Sequence, residues 1–292
     1  MTVRIDGQAV ARRVREQVRA EVATLDTKPG LATVLVGDDP ASAVYVAAKR
    51  KAVREAGLRD RHRWLPVGAT QAEVAAVLDE LGADPAVHGI LLQLPLPAHL
   101  DPAALIDRIP VGKDVDGLTT QSAGRLARGE PGLRPCTPSG VIELLESEGV
   151  KIRGSRAVVV GRSALVGHPM AELLNQRDAT VTLAHRHTAG LAVVTREADI
   201  LVVAAGVRGL VGAEHVKPGA TVIDVGIHRT PDGLAGDVRA GELAGVAGRV
   251  TPVPGGVGPM TIAMLLVNTL NAARSRGQRA RQATETRAAT IP

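Results

Sequence analysis

"RAVVVGRSALVGHPMAELL", residues 156–174, is the stretch on which the fold turns. Its apolar run up to Val160 reads as a buried strand, glycines at 161 and 167 make a turn, and Pro169 stands where the first turn of a helix tolerates it. A strand, a glycine-rich turn and a helix together aim helix N-terminal amides at an anion, which is what a dinucleotide pyrophosphate requires. The spacing G-x-S-x-x-x-G departs from the common G-x-G-x-x-G, so its context carries the reading. That context is consistent: GLATVLVG (30–37), HGILLQLPL (88–96), ATVTLA (179–184), DILVVAAG (199–206) and ATVIDVG (220–226) read as further buried strands. Between them lie amphipathic stretches such as GQAVARRVREQVRAEVATL (7–25) and TQAEVAAVLDELGAD (70–84). The alternation predicts an α/β protein with largely parallel sheets.

In NAD sites an acidic residue for the ribose hydroxyls usually ends the next strand, roughly 20 residues on. Here that region reads Leu183, Ala184, His185, Arg186, His187, Thr188, with no acid. Arg186 and Arg162 can instead grip a 2′-phosphate through forked hydrogen bonds, which favours NADP over NAD. The His-x-His pair has no cysteine or acid cluster beside it, so no metal site is expected.

The Pro/Gly-rich segment GEPGLRPCTPSG (129–140) divides the chain into two sets of strands. In the first half Asp39 is placed to cap a helix with Pro40 in its first turn, running from 41 to about 56. Tyr45 and Lys49, four apart, then share one face. Tyr-x-x-x-Lys resembles the pair of short-chain dehydrogenases, but there the nucleotide loop comes first, whereas here it follows by more than a hundred residues. Two further segments have the character of a site. GILLQLPLP puts Gln93 at the end of an apolar strand, and PVGKDVDGLT packs Lys113, Asp114 and Asp116 into a turn. Ligands of parallel sheets bind outside the carboxyl ends of the strands, although aspartates also serve plain turn chemistry.

Composition narrows the classes. With 292 residues there is room for two domains, and with no phenylalanine, one tyrosine and one tryptophan the core must be aliphatic. The single cysteine, Cys136, suits a reducing compartment and reads as a small buried apolar residue. No apolar run approaches the roughly 20 residues of a membrane span, so a soluble cytoplasmic protein is expected. Five arginines from Arg274 onward, against Glu285 alone, account for most of the net charge of +5. This tail reads as a solvated, disordered end, and no nucleic-acid or membrane partner is expected.

Six separated motifs, VGDDPASAVYVAAKRKA, GILLQLPLP, KDVDGLT, PCTPSGVIELL, VVVGRSALVGHPMAELL and TPVPGGVGPMTIAMLLVNT, occur in one order. Together they resemble the bifunctional methylenetetrahydrofolate dehydrogenase/methenyltetrahydrofolate cyclohydrolase family over nearly the whole chain. The resemblance implies an N-terminal α/β folate-binding lobe (1–135), a C-terminal Rossmann-like NADP-binding lobe (136–259), a helix (260–275) returning to the first lobe, a basic tail (276–292), and an active-site cleft between the lobes. It implies NADP-linked oxidation of 5,10-methylenetetrahydrofolate to the 5,10-methenyl cation, then hydrolysis to 10-formyltetrahydrofolate, by a homodimer paired through the Rossmann lobes. A monofunctional relative or a catalytically silent NADP-binding protein are the alternatives.

Residue by residue, the resemblance makes Lys49 the base toward the attacking water, with Gln93 hydrogen-bonding it and Asp116 anchoring the pterin's N–H donors. Tyr45 becomes a stacking face for the folate rings. Gly161, Arg162, Ser163 and Gly167 match the family's cofactor turn, and Ile227 falls in its cofactor-binding set. Pro254, Gly255 and Gly256 line the ligand near the nicotinamide end. Two departures stand out. After the second strand the family often reads C-H-S-[KR]-T, whereas this chain has Ala184-His185-Arg186-His187-Thr188, and Ser139 stands where lysine often follows P-C-T-P.

Overall fold

The computed structural model describes residues 1–289. In chain order the elements are β1 (Val3–Arg4), α1 (Gly7–Ala23), β2 (Gly30–Val36), α2 (Pro40–Glu55), β3 (Arg59–Leu65), α3 (Gln71–Ala83), β4 (Gly89–Leu92), α4 (Pro102–Ile106), α5 (Thr120–Ala127) and α6 (Cys136–Ser147). They continue with β5 (Arg156–Val160), α7 (Gly167–Asn175), β6 (Thr180–Ala184), α8 (Leu191–Thr195), β7 (Ile200–Val203), β8 (Thr221–Asp224), β9 (His228–Thr230), β10 (Gly233–Ala235), β11 (Arg249–Val250) and α9 (Val257–Ala289). Contacts divide them into two compact units, one of Met1–Arg13, Leu126–Glu130 and Pro135–Met264, the other of Val14–Arg125, Pro131–Arg134 and the chain from Leu265 on.

The unit that holds β2, β3 and β4 is a three-stranded parallel sheet in the order β3-β2-β4. All seven residues of β2 are buried, as its unbroken apolar run requires of a central strand. Its core is aliphatic, with Val34, Val36, Val74, Leu78, Leu81, Ile90, Leu92 and Leu105 in one cluster. Helix α2 begins as its sequence predicts: Asp39 accepts from the Ser42 amide and Pro40 occupies the first turn. Helix α3 starts in a capping box between Thr70 and Glu73. Edge strand β3, RDRHRWL, buries only Leu65, and its arginines Arg61 and Arg63 pair with Asp84 and Glu80. Beside it the indole N–H of Trp64 donates to the Gly37 carbonyl at 3.0 Å.

The other unit carries a six-stranded parallel sheet in the order β1-β11-β8-β7-β5-β6, with β9 and β10 as a separate antiparallel hairpin. From β5 the chain moves outward to β6 and then returns to the other side as β7, so the order reverses between β5 and β7. A crevice opens at such a reversal, outside the carboxyl ends of the strands, and it is where nucleotides bind. Val158, Val160, Leu201, Val203, Val211 and Val222 lead its core.

Two boundaries differ from expectation. Residues 1–13 group with the six-stranded sheet and not with the three-stranded one, because β1 pairs with β11 (Val3 with Arg249, Arg4 with Val250). The expected disordered tail, 276–292, is helical backbone as far as Ala289, in keeping with a composition rich in the good helix formers Ala, Arg and Gln. Its last three positions, Thr290, Ile291 and Pro292, lie outside the described residues. From Leu265 on, α9 belongs to the unit of the three-stranded sheet, where Asn268 donates to the Val115 and Arg134 carbonyls and Arg274 pairs with Glu21.

Candidate functional site

The four predicted catalytic residues all lie in the unit of the three-stranded sheet. Gln93 is the residue after β4, fixed there by its own amide donating to Val34 on β2, and it is 9% exposed. Its Oε1 accepts from Lys49 Nζ at 3.0 Å, and its Nε2 turns back onto the Leu94 carbonyl. Lys49 is half-buried on α2, and Tyr45, one turn earlier, is 39% exposed. What holds α2 in register is Asp60 on β3, which accepts from Arg50 Nε at 3.1 Å and Arg54 Nη1 at 2.6 Å. Arg50 is Lys49's neighbour, so this pairing also fixes the turn that carries the lysine.

The K-D-V-D-G segment separates into architecture and site. Lys113 is buried, and its Nζ donates to three carbonyls at the end of α3: Leu81 at 3.1 Å, Gly82 at 2.7 Å and Asp84 at 2.7 Å. Those are helix-end carbonyls that the helix itself cannot satisfy. Burial, and then the nearby Arg276, hold the Lys113 ammonium below the ordinary lysine range. Asp114 is also buried, and its carboxylate accepts from the Leu118 and Thr119 amides and from the Ser122 hydroxyl at 2.6 Å. Asp114 bridges Ile90 in parallel with β4, and the chain then turns at once, the Gly117 amide donating to the Asp114 carbonyl at 3.1 Å, with Asp116 inside that turn. Of the three charged residues in the segment, Lys113 and Asp114 are buried and spent on architecture, whereas Asp116 is half-buried in the turn.

The predicted cofactor residues gather in the other unit. Gly161 follows β5 with φ +116°, and a Cβ there would lie 2.0 Å from the Ala204 carbonyl that follows β7. A side chain would therefore close the crevice between β5 and β7. A Cβ at Gly167 would lie 2.0 Å from the Gly161 carbonyl, so the turn closes on itself only with glycine at both places. The exposed Ser163 accepts from the Val166 and Gly167 amides at 3.2 and 3.4 Å, which leaves its hydroxyl hydrogen to donate outward. Val160 and Ala184 are paired across β5 and β6, so the exposed Arg162 and Arg186, each two residues further, share the carboxyl edge. Arg186 Nε donates to His187 Nε2 at 3.1 Å, leaving its terminal nitrogens to other acceptors.

Ile227, just past β8, is 43% exposed. Pro254, Gly255 and Gly256 form the turn between β11 and α9 and group with these cofactor residues, not with Tyr45, Lys49, Gln93 and Asp116.

Residues 5–116 match the model of the catalytic domain of tetrahydrofolate dehydrogenase/cyclohydrolase, and residues 135–277 match that of its NAD(P)-binding domain. The chain belongs to the tetrahydrofolate dehydrogenase/cyclohydrolase family. It is 66% identical over 275 residues to "Bifunctional protein FolD 2" of Frankia casuarinae, a match that spans 93% of this chain and 96% of that protein. Among solved structures, the bifunctional FolD enzyme of Campylobacter jejuni superposes with TM-score 0.93 at 42% identity, covering 94% of this chain and all of that one. The Trypanosoma brucei dehydrogenase-cyclohydrolase, solved with NADP cofactor and an inhibitor, superposes with TM-score 0.90 at 41% identity over 94% of this chain and 98% of that one. The two-domain α/β fold expected from the sequence is the fold of this family.

For this family member the structure adds residues that the sequence reading did not single out. Asp224, at the end of β8, is 3% exposed and accepts from the amides of Gly226, Asp237 and Val238. Burial pushes its carboxyl up to about 6, against the three amide bonds, with Asp237 adding to the rise. Asp237 is fully buried and accepts from the Ala205 and Gly206 amides and from His228 Nε2. A charged residue ending the apolar run ATVID was the one signal available in sequence; the partnership with Asp237 and His228 exists only in the fold. Val207 and Leu165, 51% and 45% exposed beside the carboxyl ends of β7 and β5, were equally unsignalled.

Proposed function

We propose that the protein oxidises 5,10-methylenetetrahydrofolate to the 5,10-methenyl cation with NADP and then hydrolyses that cation to 10-formyltetrahydrofolate. The observation that carries this reading is the Lys49–Gln93 hydrogen bond of 3.0 Å at the carboxyl edge of the three-stranded sheet, with Tyr45 one turn before on α2 and Asp116 in the turn that follows the Ile90–Asp114 bridge. Asp116 fixes the register of the pterin by accepting from its N–H groups, because paired bonds to a carboxylate set both position and angle. Tyr45 offers the ring a flat apolar face. Gln93 Oε1 holds one Nζ hydrogen, which orients Lys49 so that its remaining positions meet the one-carbon bridge and the water that attacks it. Lys49 then takes a proton from that water as its oxygen bonds to the amidinium carbon; the resulting carbinolamine loses its hydroxyl proton as the C=O forms, and the C–N bond to the second nitrogen breaks as that nitrogen takes up a proton, so that one proton is released overall. A hydrolytic role is favoured over dehydrogenase activity alone because Lys49, Gln93 and Asp116 are all retained.

NADP, when bound, supplies the hydride acceptor. The chain offers it the Gly161–Gly167 turn before α7 for the pyrophosphate, the Ser163 hydroxyl, and Arg162 and Arg186 for a 2′-phosphate. The absence of an acid in residues 183–188 supports NADP over NAD, and the Trypanosoma brucei relative was solved with NADP. A cytoplasmic role in one-carbon metabolism, feeding purine biosynthesis, belongs to the same reading. So does a homodimer through the nucleotide-binding units, which sedimentation would test.

The deciding assay follows the absorbance of methenyltetrahydrofolate as it forms from the methylene substrate with NADP or NAD, and then as it decays. Lys49→Gln should abolish the decay while NADP still binds. Wild-type formation of 10-formyl product by that variant would remove Lys49 from the mechanism. No absorbance change with either nucleotide would leave a silent binding protein.

A further inference from the structure

Two carboxylates buried in an aliphatic core are costly unless each is fully hydrogen-bonded, and in the nucleotide-binding unit both are. Asp237 Oδ2 accepts from Ala205 N at 2.7 Å and Gly206 N at 2.8 Å, in the turn after β7. Its Oδ1 accepts from His228 Nε2 at 2.7 Å, at the start of β9. Asp224 Oδ1 accepts from Gly226 N at 2.9 Å and Asp237 N at 3.0 Å, and its Oδ2 from Val238 N at 3.0 Å. The Asp224 amide in turn donates to Thr251 Oγ1 at 2.8 Å, just before the Pro254–Gly256 turn. Residues 205–206, 226–228 and 237–238 are thus tied to one pair of carboxylates, and Thr251 is held to the main chain of Asp224.

The tie brackets one residue. Ile227 stands between Gly226, held by Asp224, and His228, held by Asp237, yet it is itself 43% exposed. Val207 follows Gly206, also held by Asp237, and is 51% exposed. Strands β7 and β8 are neighbours with Val203 opposite Asp224, so the two turns lie side by side, each presenting an aliphatic side chain on a rigid base. Rigid aliphatic walls beside a dinucleotide crevice suit the face of a flat heteroaromatic ring.

We infer that His228 is a positioning residue for the cofactor: through Asp237 it locks the turns that carry Ile227 and Val207 against the nicotinamide ring. This rests on the NADP reading above. His228, whose side chain is 24% exposed, is the member of the cluster that solvent reaches, while Asp237 is wholly enclosed. Losing its N–H leaves one buried carboxylate oxygen without that donor and frees the Ile227 turn.

The test uses the full enzyme. His228→Leu should raise the Kd for NADP, read by equilibrium titration without folate, and KM with it, about ten-fold or more, the worth of one hydrogen bond to a buried charge, with kcat at saturating NADP within about two-fold of wild type. His228→Gln places an amide N–H near the position of Nε2 and should bring KM back to within about two-fold. A Leu variant with wild-type KM overturns the inference, and so does a Gln variant whose KM is as high as that of Leu. If the Leu variant does not fold, the Gln variant and Ile227→Ala, expected to raise KM for NADP by a similar factor, carry the test. Failure of the NADP reading looks different: the wild-type enzyme itself would not saturate with NADP.

Discussion

Replacing Lys113 with methionine separates architecture from chemistry in the K-D-V-D-G turn. The ammonium makes three hydrogen bonds to the end of α3, of 3.1, 2.7 and 2.7 Å. Bonds to a charged donor contribute about 1.5–3 kcal/mol each when both partners are kept from water. Against this stands the burial of the ammonium, a cost of several kcal/mol that also holds its pKa down. Methionine fills a similar volume, removes the desolvation cost and leaves three helix-end carbonyls, of which Leu81's is buried. The expected net loss is about 2–4 kcal/mol, mostly from carbonyls left without a donor. Urea unfolding followed by far-ultraviolet circular dichroism should show a lower midpoint at an unchanged m value. Methenyl hydrolysis by the folded fraction should stay within about three-fold of wild type, because Lys113 faces α3 and not the Gln93 edge. Two results would refute the reasoning: a midpoint unmoved by the loss of all three bonds, or hydrolysis as dead as that expected of Lys49→Gln.

Gly167→Ala should weaken NADP binding at least a hundred-fold while methenyl hydrolysis persists, because its Cβ would meet the Gly161 carbonyl at 2.0 Å, backbone against backbone; a normal cofactor titration would contradict this. Replacing both Arg162 and Arg186 with alanine should cut the NADP/NAD ratio of kcat/KM by roughly ten- to a hundred-fold, from lost charge-assisted bonds. An unchanged ratio places the selection elsewhere. For Asp224, whose carboxyl rises from 3.8 to about 6, the native state keeps a proton that the unfolded chain has lost. Its stabilisation is therefore full below about pH 4 and lost as pH rises through about 6, up to roughly 3 kcal/mol in all. Relative to Asp224→Asn, the wild type should gain stability as pH falls from 7 to 4; a difference flat in pH would count against a raised Asp224.

The parts of the fold that were legible in sequence are those where burial leaves a continuous mark. β2, β5, β7 and β8 bury nearly every residue, so each reads as an apolar run. Strand β3 was not legible, because an edge strand whose arginines pair with α3 and the residue after it carries no apolar pattern. Nor was the placement of β1, whose two residues pair with a partner some 245 positions away. Within the site, spacing was enough to put Tyr45 and Lys49 on one helix face, and strand-end logic was enough for Gln93. The roles of Lys113 and Asp114 were not, since a lysine capping a distant helix and an aspartate tying its own turn look, in sequence, like catalytic neighbours of Asp116. The His228–Asp237–Asp224 cluster was out of reach for the same reason: its hydrogen bonds join three turns that only the sheet brings together.

Trp64 gives the molecule an optical property that its composition makes unusually clean. It is the one indole in a chain with one tyrosine and no phenylalanine, and its N–H is pinned to the Gly37 carbonyl at the entrance to α2. Excited at the red edge of protein absorption, the enzyme emits from this single place, on edge strand β3, with β2 between it and the strand that ends at Gln93. A ligand that shifts the Gly37 carbonyl alters the one hydrogen bond of that indole, so titration of the emission is a label-free way to ask whether binding at the Tyr45 and Lys49 end reaches α2's entrance.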